Sequence, residues 1–230
     1  LTKKKIVEIS DRKNIGCDQV ILIGGDKNGD AALTFYNSDG GEISACGNGS
    51  RCAAYLLMKE KKVKKLTLKT KAGILNAEIN KDNSVRVCIG KPNFHWNKIP
   101  LYKEMDNKNL QIKIPSLNNK KFEGGFSLSV GNPHVIFFLK KFNEYDLKEI
   151  GPQIENYHYF PDKCNVTFAN IINKKHIKIK VWERGAGLTQ ACGTAACATV
   201  VASSVLKLSE RNVDIEFSKG ILNILWDTND

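Results

Sequence analysis

Long apolar runs are missing from this 230-residue sequence. Runs such as residues 135–139 (Val-Ile-Phe-Phe-Leu) are far shorter than the about 20 apolar residues that a helix needs to span a bilayer. The first residues also lack the apolar segment of a secretion signal. We therefore expect a cytoplasmic protein with no membrane partner.

Arginine is also scarce, although the chain is strongly basic. The formal net charge is +11, but 30 of the 35 basic residues are lysines and only 5 are arginines. Arginine side chains are the usual readers of phosphates and bases, because their planar donors match those groups. We therefore assign the charge to a solvated surface and expect no nucleic-acid partner.

The seven cysteines do not indicate a disulfide framework, because their number is odd and no secretion signal accompanies them. No Cys-x-x-Cys pair or histidine cluster at ligand spacing occurs, so a metal-binding or redox module is kept only as an alternative and no metal is expected. We expect Cys17, Cys88 and Cys164 to be small buried residues, and Cys52 and Cys197 to be core residues of helices.

One phrase of the sequence occurs twice. Residues 41–48 (Gly-Glu-Ile-Ser-Ala-Cys-Gly-Asn) return as residues 187–194 (Gly-Leu-Thr-Gln-Ala-Cys-Gly-Thr), which places Cys46 and Cys192 in matching settings 146 positions apart. Further matches at this offset, or one residue beyond it, are 19–20 with 165–166, 36–37 with 182–183, and 73–76 with 220–223. Several phrases in one register indicate a duplicated module rather than a short solenoid repeat.

The duplication predicts two lobes of roughly 100 residues each. We expect an N-terminal lobe over 1–90 that carries Cys46, and a C-terminal lobe over 91–230 that carries Cys192. The segment 91–107 contains prolines and polar residues and is the expected crossover between them.

Alternating and helical patterns follow the same plan in both lobes. We expect a helix that starts at Cys46 and runs to residue 60, and a second helix over 192–206. The expected strands are 20–23, 32–36, 65–70, 74–79 and 84–89 in the first lobe, and 126–130, 135–139, 165–169, 177–182, 213–217 and 221–226 in the second. The expected fold class is α+β, with two pseudo-symmetric lobes, each a mostly antiparallel curved sheet wrapped around one principal helix.

A cysteine at a helix start has distinctive chemistry. Unpaired backbone N–H groups and the positive end of the helix dipole favour the thiolate and lower a pKa that is about 8.5 in free cysteine. The same N–H groups can hold a carboxylate, and the glycine after each cysteine lets a substrate approach closely. Two such helix starts facing each other could invert a stereocentre without a cofactor, since one thiolate would remove a proton and the other thiol would return one.

Six segments together closely resemble the diaminopimelate epimerase family. They are Asn37-Ser-Asp-Gly40, Cys46-Gly-Asn-Gly-Ser-Arg-Cys52, Gly131-Asn-Pro-His134, Asn165-Val166, Glu183-Arg-Gly-Ala-Gly187 and Ala191-Cys-Gly-Thr194. The resemblance covers nearly the whole chain in order. It implies a cofactor-independent isomerase that interconverts LL- and meso-diaminopimelate, a small amino-acid substrate, in lysine and peptidoglycan precursor biosynthesis.

The resemblance also implies a role for individual residues. Cys46 and Cys192 would be the two acid/base residues, and His134 and Glu183 would tune them. The α-carboxylate would be bound by backbone N–H groups of Gly47, Asn48, Gly193 and Thr194. The substrate would be surrounded by Gln19, Asn37, Asn132, Asn165, Glu183 and Arg184, with Arg184 the partner of the distal carboxylate.

Plainer interpretations of some of these residues stay open. Asn37 is a good turn former, His134 could simply close a turn after Asn-Pro, and Glu183 with Arg184 could be a surface ion pair. Cys46 and Cys192 could be buried small residues, although their duplication ahead of helices favours catalysis.

The chain departs from the family pattern at both ends. The family's Gly-x-Gly-Asn-Asp-Phe segment and its closing strands are absent, so we expect an incomplete first sheet with exposed edges. The shortened ends leave a catalytically impaired fragment as one alternative. A proline-racemase-like enzyme, which also uses two cysteines, is another, and it is disfavoured because Gly-Asn rather than Gly-His follows Cys46. A homodimer is left open by the sequence.

Overall fold

The computed structural model describes residues 1–27, 29–43, 46–117, 120–141 and 145–227. The chain divides into two compact units, Leu1–Gly90 and Lys91–Asp230. Ser44 and Ala45, in the first copy of the repeated phrase, lie outside the described residues.

The first unit contains two helices and six strands within its described residues. In chain order they are α1 (Lys3–Ser10), β1 (Gln19–Gly24), β2 (Ala31–Asn37), β3 (Glu42–Ile43), α2 (Gly47–Lys61), β4 (Lys65–Thr70), β5 (Gly73–Ile79) and β6 (Val85–Cys88). The sheet order is β1-β2-β4-β5-β6, with β3 paired to β2. All neighbours are antiparallel except β2 and β4.

Helix α2 is anchored on this sheet by small and apolar side chains. Ala54 and Met58 of the helix are buried in one cluster with Phe35 of β2 and Leu68 of β4. Each large apolar side chain that is fully buried contributes about 1.5–3 kcal/mol to stability. The helix ends at Lys61, and its C-cap residue Lys62 has a left-handed φ of 56°. The buried face of α2 thus fixes where its first turn lies over the sheet.

The second unit has a larger sheet. In chain order its elements are β7 (Leu110–Ile114), a short 3-10 turn (Pro115–Leu117), β8 (Lys120–Ser129), β9 (Pro133–Phe138), α3 (Leu147–Glu155), β10 (Asn165–Asn173), β11 (His176–Glu183), β12 (Gly187–Thr189), α4 (Gly193–Val205), β13 (Asn212–Phe217) and β14 (Gly220–Leu225). The sheet order is β14-β13-β11-β10-β9-β8-β7, with β12 paired to β11. The parallel pairs are β9 with β10 and β11 with β13.

Helix α4 is almost entirely buried. Its apolar side chains are mostly small, and Ala195, Ala196, Ala198 and Ala202 have no exposed surface. Helix α3 instead contributes to an aromatic core, which includes Phe168 of β10. Small side chains let α4 approach its neighbours closely, so the position of its first turn is tightly determined.

The duplication seen in the sequence extends to the pairing of the strands. Val20 lies opposite Tyr36 in the first unit, and Val166 lies opposite Trp182 in the second. Adding 146 to the residue numbers of the first pair gives those of the second pair. The two hairpins therefore have the same register, residue for residue.

The parallel pairs continue this correspondence beyond the helices. Ala31 pairs with Leu68, and Ile177 pairs with Ile215. Ala31 and Ile177, which precede the principal helices, are 146 positions apart, whereas Leu68 and Ile215, which follow them, are 147 apart. The one-residue slip of the duplication therefore falls between the start of each principal helix and the strand that follows it. The α+β class with one principal helix on each mostly antiparallel sheet is confirmed.

Some local expectations were wrong. Cys164 is buried as expected, but Cys52 and Cys88 are exposed, because each lies on the outer face of its helix or strand. None of the seven cysteines, all within the described ranges, forms a disulfide.

Among the helices that the structure describes, none has the length and apolar character required to cross a membrane.

Candidate active site

Cys46 is the N-cap residue of α2. Its φ of −141° and ψ of 112° are extended, and its Sγ accepts a hydrogen bond from the Gly49 N–H at 3.3 Å. A side chain at Gly49 would lie 2.6 Å from Cδ1 of Ile21, so this first turn lies very close to β1. The sulfur is thus held at the helix start by a donor that stabilises negative charge.

Two of the polar side chains predicted to contact the substrate pair with each other in the first unit. Gln19 and Asn37 are opposite each other on β1 and β2, and the Gln19 amide donates to Asn37 Oδ1 at 3.1 Å. The Asn48 side chain accepts from Arg51 at 2.6 Å. Gly47 and Asn48 are the first residues of α2, where backbone N–H groups have no acceptor within the helix. These N–H groups can therefore bind an anion.

Cys192 is the N-cap residue of α4, with φ −140° and ψ 111°. The residue is only 6% exposed, and its Sγ lies 3.4 Å from the hydroxyl oxygen of Thr194. Burial raises the pKa of this thiol, and the nearby Glu183 carboxyl raises it further, while the Thr194 hydroxyl and the Ala195 N–H act in the opposite direction. The expectation of a lowered pKa is wrong for Cys192, because loss of water outweighs the donors of the helix start.

A chain of polar contacts leads from Cys192 to a buried histidine. Thr194 accepts from the Asn132 amide at 3.5 Å, and Asn132 Oδ1 lies 2.9 Å from Nε2 of His134. Burial, with a smaller contribution from the positive charge of Arg184, lowers the His134 pKa to about 3. The ring is therefore neutral, and Nε2–H donates to Asn132. His134 Nδ1 has no hydrogen-bond partner among the described residues.

Asn165 joins three parts of the second unit. Its Oδ1 accepts from the Arg184 backbone N–H at 3.0 Å, and its Nδ2 donates to the Pro133 carbonyl at 2.9 Å. The Arg184 side chain is exposed and donates through Nη1 to the Asp162 carbonyl at 3.0 Å. Asn165 therefore fixes the backbone of the turn after β11, and Arg184 keeps further donors for a ligand.

Within the second unit, the structure thus brings together Asn132, His134, Cys192, Gly193 and Thr194, with Glu183 close enough to act on the Cys192 sulfur. In the part of the chain that is described, no group of three or more His, Cys, Asp or Glu side chains could hold a metal ion.

The chain is similar to known proteins over most of its length. The family model for diaminopimelate epimerase matches residues 3–95 and 126–230. A diaminopimelate epimerase of Pelagibacter ubique is 53% identical over 227 residues, which cover 99% of this chain and 83% of the relative. This chain belongs to the diaminopimelate epimerase family.

Solved structures resemble this member of the diaminopimelate epimerase family in fold alone. A Bacillus anthracis phenazine biosynthesis protein of the PhzF family superposes with a TM-score of 0.63 at 17% identity, covering 95% of this chain and 77% of that chain. A probable proline racemase from Agrobacterium radiobacter gives a TM-score of 0.62 at 14% identity, covering 96% and 76%.

One residue near the site of this diaminopimelate epimerase family member was not predicted from the sequence. Glu155, the last residue of α3, is 5% exposed, and its carboxylate accepts from the Trp182 indole N–H at 2.7 Å and the Gly185 backbone N–H at 3.0 Å. A carboxylate is rarely buried without partners, but a single Glu in a polar segment gives no sequence signal of burial.

Proposed function

We propose that this chain is a cofactor-independent isomerase that interconverts LL- and meso-diaminopimelate and so serves lysine and peptidoglycan precursor biosynthesis. Membership of the diaminopimelate epimerase family supports the substrate. The observation that carries the mechanism is the duplicated helix start, in which Cys46 and Cys192 cap α2 and α4 with the same backbone angles.

The proposed reaction uses both sulfurs. One cysteine thiolate removes the proton of the α-carbon, and the electron pair of the broken C–H bond moves into the carboxylate to give an enediolate-like species. The other cysteine, as a thiol, donates its proton to the opposite face, which forms the new C–H bond and leaves that sulfur as the thiolate. The configuration is inverted, and no electron is gained or lost.

Backbone donors at the two helix starts would stabilise the developing charge. The N–H groups of Gly47 and Asn48 on α2, and of Gly193 and Thr194 on α4, have no acceptor within their own helices. Donors that are already oriented toward a carboxylate cost no reorganisation when charge builds up on it. We assign these four groups to the α-carboxylate.

The environments of the two sulfurs differ, and this difference suggests their starting protonation states. Cys192 is buried and its pKa is raised, so it rests as the thiol and is the proton donor. Cys46 is more accessible, and its sulfur already accepts the Gly49 N–H. We therefore assign the first proton abstraction from a substrate bound to the resting enzyme to Cys46.

The remaining polar residues would select the substrate. Arg184 is the partner of the distal carboxylate, since its fork has donors beyond the one used by the Asp162 carbonyl. Gln19, Asn37, Asn132, Asn165 and Glu183 would surround the amino and carboxylate groups. A thiolate and a thiol must both stay reduced, which supports a cytoplasmic location.

Solvent exchange tests this function. The protein is incubated with LL-diaminopimelate in deuterium oxide, and deuterium at the α-carbon and formation of the meso isomer are followed by NMR. We expect Cys46→Ala and Cys192→Ala each to abolish interconversion, whereas Cys52→Ala, an exposed position on α2, keeps it. Wild-type turnover by either active-site variant, or turnover of proline in place of diaminopimelate, would contradict the proposal.

A further inference from the structure

Glu155 is a buried carboxylate that the reaction above does not use. Its two oxygens accept from two different donors, Oε2 from the Trp182 indole N–H and Oε1 from the Gly185 backbone N–H. These donors lie on either side of the pair Glu183 and Arg184 in the sequence. The carboxylate therefore clamps the turn between β11 and β12 at both of its ends.

The clamped turn is tight and depends on its backbone. The Ala186 N–H donates to the Glu183 carbonyl at 3.0 Å, and Gly185 has a φ of 73°, which a side chain would strain. The Arg184 N–H is held by Asn165 at 3.0 Å. With the Gly185 N–H bound to Glu155, the middle of the turn is fixed from α3 and from β10.

Packing reinforces the hydrogen bond to Trp182. A Cβ atom on Gly151, one turn before Glu155 on α3, would lie 2.7 Å from Cγ of the Trp182 ring. The Trp182 ring therefore packs closely against α3, and its indole N–H donates to the Glu155 carboxylate at 2.7 Å. A displaced Glu155 carboxylate would therefore also shift Trp182, the residue that precedes Glu183 in the sequence.

We propose that Glu155 is a positioning residue that sets the place of the Glu183 carboxyl relative to the Cys192 sulfur and of the Arg184 side chain relative to the substrate. This inference rests on the proposed function for the role of Arg184. The effect of Glu155 on Cys192 through Glu183 depends only on the second unit, because all three residues belong to it.

Titratable groups lie on both sides of this clamp. Glu183 on β11 acts on Cys192 and raises its pKa. On the other side, Cys164 lies ahead of β10, and burial, followed by the charge of Glu155, raises the Cys164 pKa, while Arg184 acts in the opposite direction. A loosened turn would take Glu183 away from the sulfur, so the thiolate of Cys192 would become easier to form.

Glu155→Gln breaks the clamp with almost no change in size. The amide has only one acceptor oxygen, so its NH₂ group must face either the Trp182 N–H or the Gly185 N–H, and a donor then opposes a donor. We expect kcat for diaminopimelate to fall on the order of 100-fold from misplacement of the catalytic groups. We expect the alkylation rate of Cys192 at a fixed pH near 8, read by mass spectrometry of its peptide, to rise about tenfold.

A double-mutant cycle separates positioning from simple loosening. In the Glu183→Gln background the charge that acts on Cys192 is already gone, so adding Glu155→Gln should leave the alkylation rate unchanged. A further rise in that background would mean that Glu155 only keeps the fold closed and would overturn the proposal. Gln153→Ala, on the same helix but bonded to Ser116, is the matched control and should leave both readouts at wild-type values.

Trp182→Phe provides a second route if Glu155→Gln does not fold. It keeps an aromatic ring beside Gly151 and leaves the Glu155–Gly185 bond in place, but it lacks the indole N–H and fills less space. A smaller change of the same sign is therefore expected in both readouts. The positioning role is refuted if a folded Glu155→Gln variant has unchanged kcat and an unchanged alkylation rate of Cys192. If Glu155→Gln does not fold, the same result in Trp182→Phe refutes it. If the alkylation changes appear but the wild-type protein does not turn over diaminopimelate, the clamp stands and the proposed function fails.

Discussion

Cys46 and Cys192 have the same backbone conformation, with φ of −141° and −140° and ψ of 112° and 111°, although their sulfurs meet different partners. The Cys46 sulfur accepts the Gly49 N–H, whereas the Cys192 sulfur, beside the corresponding Ala195 N–H, also lies against the Thr194 hydroxyl in a buried setting. Duplication has thus kept the position of the thiol while its surroundings have diverged. A two-base reaction starts with one sulfur as base and the other as acid, and this difference in surroundings can decide which sulfur starts in which role.

The Thr194 hydroxyl should make the Cys192 thiolate easier to form. Thr194→Val keeps the shape but removes the hydroxyl that lies 3.4 Å from the sulfur. A hydrogen bond to a charged group contributes about 1.5–3 kcal/mol, so we expect kcat and the alkylation rate of Cys192 each to fall about tenfold or more. Thr199→Val removes a buried hydroxyl bonded to the Ala195 carbonyl in the same helix and should leave Cys192 alkylation unchanged. Equal effects of the two variants would contradict this role.

Acid should destabilise the protein through His134. The pKa of this histidine is about 3 in the fold against an ordinary value of 6.5, so the unfolded chain binds its proton first. The neutral form therefore contributes its full stability above about pH 6.5, and that contribution is lost as the pH falls toward 3. His134→Gln, measured by urea unfolding between pH 7 and pH 4, should show a smaller loss of unfolding free energy than wild type.

The partly exposed His176, which is paired with Glu216, offers the control for this measurement. His176→Gln should retain the steep acid dependence of the wild type. A His134→Gln variant whose acid dependence matches wild type would show that the buried imidazole is not the group responsible.

Gly151→Ala should disturb the contact between α3 and Trp182. The added methyl group would lie 2.7–2.9 Å from three atoms of Trp182, which is rigid and hydrogen-bonded. Overpacking of this kind costs about 1–3 kcal/mol, and the better helix propensity of alanine returns about 1 kcal/mol. We expect a lower Tm together with reduced kcat. Lys148→Ala, at an exposed position of the same helix, should change the unfolding free energy by less than about 0.5 kcal/mol.

Cys52 and Cys88 should be dispensable. Both are exposed, and neither is the N-cap residue of a helix: Cys52 lies within α2 beyond its first turn, and Cys88 is the last residue of β6. The double variant Cys52→Ser with Cys88→Ser should keep wild-type turnover and lose the fastest phase of thiol alkylation. A loss of turnover above about tenfold would mean that one of them contributes to the reaction.

Much of the architecture could be predicted because it follows from local patterns. The strands of both hairpins and the helices that begin after Cys46 and Cys192 were expected within a few residues. Alternation and helical spacing reflect which side of an element is buried, and the duplication provided each pattern twice.

Helix α3 was not expected, and its sequence explains why. It contains Gly151 and Pro152, both unfavourable inside a helix. Burial of Leu147, Ile150 and Ile154 in the aromatic core compensates for this low propensity. Helix α1 was missed as well, since it begins with three consecutive lysines and only Ile6 and Ser10 are buried.

The sequence by itself determined the duplicated module, the two cysteines at helix starts and the family, because each of these depends on residue order alone. Only the tertiary structure decided that the pKa of Cys192 is raised rather than lowered, that His134 is neutral, and that Glu155 holds the turn of Glu183. Burial and the approach of groups distant in the chain govern these properties, and both are set by how the elements pack.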